Sequence, residues 1–143
     1  MKILVAIDGS PSALAAARHG LQLARAGLRT GFVLATVQDP TYLYERVLTP
    51  DADVLERISG AVGTRALAPA EELFKEAGVA YEREIGSGDP AATLVEMAQR
   101  HGCTAILMGG RGMGALRGVL LGSVSQGVIQ RALVPVTIVK HET

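Results

Sequence analysis

The chain has 143 residues, with 14 Lys plus Arg against 14 Asp plus Glu, so its formal net charge is zero; 48% of it is hydrophobic and 20% charged. That is the length of one domain with enough apolar chain for a core, which excludes a disordered segment and a disulfide-stapled miniprotein. It has no basic excess and no apolar run of about 20 residues, which argues against a binder of nucleic-acid backbone and against a membrane span.

Residues 2–7 (KILVAI) read as a first strand covered on both faces, and the MKILVAIDGS opening lacks the cleavage pattern of a signal peptide. Ser10-Pro11 then signals a helix start, with Leu14, Ala17, Leu21, Ala24 and Leu28 as its apolar stripe and Gly27 and Gly31 bracketing its end. Residues 32–37 (FVLATV) form a second strand, and 38–50 a polar, Pro-flanked loop. Tyr42 and Tyr44 in that loop could cover a bound base or simply lie exposed. A long helix follows over 51–77, with a kink or break expected near Pro69. Residues 79–85 alternate apolar and polar, as a half-exposed or edge strand does. Asp89-Pro90 opens another helix, with Ala91, Leu94, Val95 and Ala98 on one face. Residues 104–109 (TAILMG) are a buried strand, 110–121 are Gly-rich, 123–133 helical, and 134–140 (VPVTIVK) the last strand. The alternation β-α-β-α-β-α-β-α-β implies one α/β domain over 1–143, with a parallel sheet and helices on both faces.

In such a sheet ligands bind beyond the carboxyl ends of the strands, where the strand order reverses. The first strand ends there in Ala6-Ile7-Asp8-Gly9 and the fourth in Met108-Gly109. Six glycines occupy positions 109–122, between a buried strand and a helix. Backbone N–H groups in such a segment can form an anion nest, and Gly122-Ser123 at a helix start adds free donors and a favourable dipole. Ser123 and Ser125 bring hydroxyls, and Arg111 and Arg117 positive charge. These features describe a phosphate cradle. A second reading stands beside it: Ser123 with Gln126 is also a capping box, and glycines also make tight turns. No Walker A match is present. Gly86-Ser87-Gly88-Asp89-Pro90-Ala91 imitates a dinucleotide fingerprint but follows the third strand, and capping by Asp89 accounts for it. Asp8 suits a ribose, a metal or an amide donor, and also a plain turn. His19, His101, His141 and Cys103 have no metal-ligand spacing, and no nucleophilic triad is evident. The single cysteine, Cys103, rules out an internal disulfide and fits a reducing compartment.

The spacing Gly109-x2-Gly112-x9-Gly122-Ser123, with KILVAIDGS, GDPAATLVEMA, AILMGGRGMGALRGVLLGSVSQGVI and VPVTIV around it, resembles the single-domain universal stress protein family. The resemblance covers nearly the whole chain and is weakest over 38–77. It implies a five-stranded sheet of order 3-2-1-4-5 and a cytoplasmic protein that binds ATP, with Mg²⁺ or Mn²⁺ through the phosphates, in a stress response or in signalling. Ala6, Ile7 and Asp8 would line the adenosine pocket and Val37 would meet the adenine. Met108, Gly109, Arg111 and Gly112 would line the ribose and phosphate side. Gly122, Ser123, Val124 and Ser125 would hold the phosphates. A homodimer would form through Val136, Thr137, Ile138 and Val139. No catalytic residues are identified, so hydrolysis is expected to be slow at most. The alternatives are a non-nucleotide interaction module of this fold or an ATPase.

Overall fold

The computed structural model describes residues 1–40, 51–110 and 121–141. In chain order the elements are β1 (Lys2–Ala6), α1 (Pro11–Arg25), β2 (Gly31–Gln38), α2 (Ala52–Glu76), β3 (Glu82–Ser87), α3 (Pro90–Arg100), β4 (Ala105–Gly109), α4 (Ser123–Arg131) and β5 (Val136–Val139). The strands form one sheet of order β3-β2-β1-β4-β5, all parallel. The sheet order implied by the resemblance is therefore the one observed.

Each face of the sheet buries its own layer. On one side Ile3, Val5, Ile7, Phe32, Leu34 and Leu107 pack beneath α1 and α2. On the other, Leu4, Ala6, Val33, Ala35, Ile106 and Met108 lie beneath α3 and α4. This explains why β1 and β2 read as continuous apolar runs, since successive side chains point to opposite covered faces. Phe32, Phe74 and Tyr81 stack edge to face, with ring centroids 5.1 and 5.7 Å apart, a favoured aromatic arrangement.

The helix starts follow their capping chemistry. The Ser10 hydroxyl accepts from the Ala13 N–H at 3.1 Å, and the Asp89 carboxylate from that of Ala92 at 3.0 Å, with Pro11 and Pro90 next in line.

Several boundaries differ from the sequence reading. β2 runs over 31–38 rather than 32–37, α1 ends before Leu28, α4 ends at Arg131 rather than 133, and β5 spans 136–139 rather than 134–140. Two further differences have a clear physical reason. The helix over 52–76 continues through Pro69, which is exposed. The carbonyl that loses its partner there belongs to Arg65, also exposed, so water can satisfy it, while Leu67, Ala70 and Phe74 hold the buried face. The third strand spans Glu82–Ser87 rather than 79–85, because its pairing with β2 starts at Val33 and Glu82 and runs on to Gln38 and Ser87. A glycine suits this extension. A Cβ on Gly86 would press into the Met97 side chain and lie 3.2 Å from the Thr93 methyl. The fingerprint-like glycines at 86–88 thus serve packing of α3 on the sheet, and a turn in which Gly88 takes φ 137°.

Candidate functional site

The order β2-β1-β4 places the reversal between β1 and β4. The chain leaves β1 into α1 on one face, and the helix following β4 lies on the other, so a crevice opens at the carboxyl ends. Val5 pairs with Leu107, which brings Ala6-Ile7-Asp8 beside Met108-Gly109, and Ala6 pairs with Ala35, two residues before Val37. Ala6, Met108 and Val37 all belong to the α3–α4 face, whereas Ile7 packs toward α1 and α2.

Asp8 shapes the turn after β1: its Oδ1 accepts from the Ser10 N–H at 2.9 Å. The carboxylate itself remains exposed at the rim. Gly109 occupies the tightest point. A Cβ there would lie 2.7 Å from the carbonyl carbon of Ser12, so α1 approaches the end of β4 as closely as backbone allows. This buried role of Ser12 was not foreseen in the sequence.

The two ends of the glycine segment are stitched together. The Gly122 N–H donates to the Gly110 carbonyl at 2.7 Å. The Ser125 hydroxyl, buried, donates to the carbonyls of Gly109 at 2.9 Å and Gly110 at 3.3 Å. Its single proton is therefore spent on the backbone, and what Ser125 can offer a ligand is its N–H. Gly110, one of the six glycines but not among the expected site residues, is the acceptor that fixes where α4 begins.

The capping box expected of Ser123 and Gln126 does not form. Gly122 is the N-cap, extended at φ −74° and ψ 168°, and among the described residues no side chain caps this terminus. Ser123 is already inside the helix, one position late for a cap, and it is exposed. The Gln126 side chain turns instead to the Leu121 carbonyl at 3.1 Å. Gly122, Ser123, Val124 and Ser125 are thus gathered at a helix start that the Gly122–Gly110 hydrogen bond ties to the end of β4. Arg111, Gly112, Arg117, Tyr42 and Tyr44 lie outside the described residues.

The remaining candidates find structural roles. His101 meets the Glu84 carboxylate, which also binds Arg100 at 2.7 Å. The Arg100 hydrogen bond holds the Glu84 carboxyl below its ordinary range. Cys103 is buried, and burial raises its thiol pKa, so it is a poor nucleophile. Among the described residues, no group of three His, Cys, Asp or Glu could hold a metal ion, and no helix is long and apolar enough to cross a membrane.

β5 and β3 form the sheet edges, and they differ in character. Val136, Ile138 and Val139 are half-buried and Thr137 is exposed, whereas β3 carries Glu82, Arg83 and Glu84.

Comparison with known proteins agrees with this architecture. The model of the universal stress protein family matches residues 1–140. The chain is 32% identical over 142 residues to universal stress protein MJ0531 of Methanocaldococcus jannaschii, covering 97% of this chain and 81% of that one. It is similar to the solved structure of protein MJ0577, with a TM-score of 0.81, 26% identity and coverage of 99% and 96% of the two chains. It is also similar to a universal stress protein solved in complex with cAMP, with a TM-score of 0.62, 28% identity and coverage of 97% and 95%.

Proposed function

We propose that this chain, which belongs to the universal stress protein family, binds an adenine nucleotide, ATP in particular, at the β1–β4 crevice. The observation that carries the reading is the start of α4. A helix N-terminus that no described side chain caps is held, by the Gly110–Gly122 hydrogen bond, against the strand end where the sheet order reverses. Such a terminus offers backbone N–H groups and the positive end of a dipole to a phosphate. The cAMP complex of a similar protein supports an adenine nucleotide as the occupant.

In this reading the first-turn N–H groups of Ser123, Val124 and Ser125 and the Ser123 hydroxyl hold the phosphates. Met108 and Gly109, with Arg111 and Gly112 from the glycine segment, line the ribose and phosphate side. Ala6, Ile7, Asp8 and Val37 surround the adenosine. Because no described cluster of three His, Cys, Asp or Glu could hold a metal ion, any Mg²⁺ or Mn²⁺ would be held by the nucleotide's phosphates and would neutralise part of their charge. Turnover is slow at most. Phosphoryl transfer needs a base or a water-orienting group, and the nearby carboxylate, Asp8, is already engaged by the Ser10 N–H. The biological output is then a nucleotide-dependent shift between states of a homodimer in a stress response or in signalling, which requires different affinities in the two states.

Titration calorimetry of the full chain with ATP, ADP, AMP and cAMP tests this. Saturable heat is expected, largest for the nucleotide whose phosphates reach α4. No heat with any of the four at millimolar concentration removes the reading and leaves an interaction module of the same fold.

A further inference from the structure

A groove of about 430 Å³ lies between α1 and α2, away from the crevice. Arg18, Gln22 and Arg25 of α1 and Glu76 of α2 form its walls, above Leu21 and Leu73. Arg18 and Arg25 are seven residues apart on one helix face, about 10.5 Å along the axis. Both are exposed, and neither makes an ion pair among the described residues. From Gly9 to Gln38 the chain has three arginines, Arg18, Arg25 and Arg29, and no acidic residue. The positive potential of α1 is therefore not balanced within its own stretch, even though the whole chain is neutral. Arg25 ends α1 and Glu76 ends α2, so the groove sits toward the amino ends of the strands, opposite the crevice.

From this charge complementarity we infer that the groove is a docking site for an acidic, partly apolar segment of a protein partner. Two carboxylates about two helical turns apart would meet Arg18 and Arg25, and apolar side chains between them would cover the half-buried Leu73 and Ala77. A helical segment suits an open groove with long, solvent-facing walls better than an enclosed small molecule does. Glu76 on the facing wall repels acid and so fixes how the segment lies. This site shares no residue with the crevice, and the inference does not depend on nucleotide binding.

The test is a selection of displayed random peptides of about 16 residues, a helix length of about 24 Å, on the immobilised full chain. Enriched peptides are then measured in solution by fluorescence anisotropy. Expected are sequences that combine Asp or Glu with Leu, Ile or Phe, whose affinity falls roughly tenfold or more in an R18Q/R25Q variant. The same peptides should bind more tightly to Glu76→Gln, and more weakly to every variant in high salt. All three positions are exposed, and an unchanged melting temperature confirms that the variants fold. Enriched peptides without acidic excess, or equal binding to R18Q/R25Q, overturn the inference. So does saturable binding of citrate at the arginines with no peptide enriched, which would make the groove a small-anion site instead.

Discussion

Thr36 shows how a single side chain can stand apart from its surroundings. It is 1% exposed, and among the described residues its Oγ1 has no hydrogen-bond partner. Alternation along β2 turns it to the same face as Phe32 and Leu34, away from Val37 and the crevice. A buried hydroxyl without a partner loses its solvation and gains nothing in return. Thr36→Val keeps the shape, removes the orphaned group and suits a strand, so it should stabilise the fold by about 1 kcal/mol. Urea denaturation would show this as a higher midpoint with an unchanged slope, and nucleotide affinity should stay as it is. Gly122 is the opposite case, a residue whose lack of a side chain serves the site. Its φ of −74° and ψ of 168° are open to valine, so Gly122→Val should fold. The isopropyl group would stand at the mouth of the helix start. Nucleotide affinity measured by calorimetry should drop by about tenfold or more, and a variant that binds ATP like the parent would remove the phosphates from α4.

At the scale of elements, β3 is tied to its neighbours by charge. Lys2 reaches Glu82 at 2.8 Å, and Arg83 bonds Glu71 and Thr64 on α2. Glu84 takes Arg100 and His101 from the end of α3. Arg100 and Lys2 hold the Glu84 and Glu82 carboxyls, respectively, below the ordinary 4.5. A carboxyl depressed on folding adds stability at pH above its unfolded value, and that stability fades as pH falls through the folded value. Glu84→Gln should therefore cost about 0.5–1 kcal/mol at neutral pH, a small figure because Arg100 is largely solvent-exposed. The stabilities of variant and parent should converge in acid below 4.5, as chemical denaturation at several pH values would show. These ties also mark what sequence could and could not convey. The order of elements was legible because buried strands and capped helices announce themselves through Ile3–Ile7, Ser10-Pro11 and Asp89-Pro90. The start of β3 was not, because register with Val33 sets it and alternation within 79–85 does not. The continuity of α2 past Pro69 depends on which side faces water. At the site, the strand alternation pointed to the carboxyl ends of β1 and β4, and Gly109 and Gly122 of the glycine spacing lie there. The cap at Gly122 and the use of the Ser125 proton depend on where Gly110 comes to lie, a contact between residues 12 to 15 positions apart.

On the scale of the whole molecule, the two sheet edges face solvent on unequal terms. An unpaired strand edge invites another chain, and charged side chains are a common guard against that. β3 is guarded by Glu82, Arg83 and Glu84 and by the ion pairs they make. β5 has no charged residue between Val136 and Val139, and next to it Leu133 is 82% and Ile129 45% exposed. Apolar surface of that kind near an open edge favours association with a second copy through β5. In a two-fold pairing the same strand lies on both sides of the interface, so one substitution acts twice. Thr137 is the position to use, because its side chain is exposed in the single chain and the core does not depend on it. Thr137→Asp would bring like charges close together across the pair, which opposes cross-strand association. Sedimentation velocity should give a dimer for the parent and a shift toward monomer for the variant, with the melting transition of the isolated subunit little changed. A dimer that keeps its mass and affinity with aspartate at 137 would place the contact elsewhere on the molecule and leave the β5 edge without a partner.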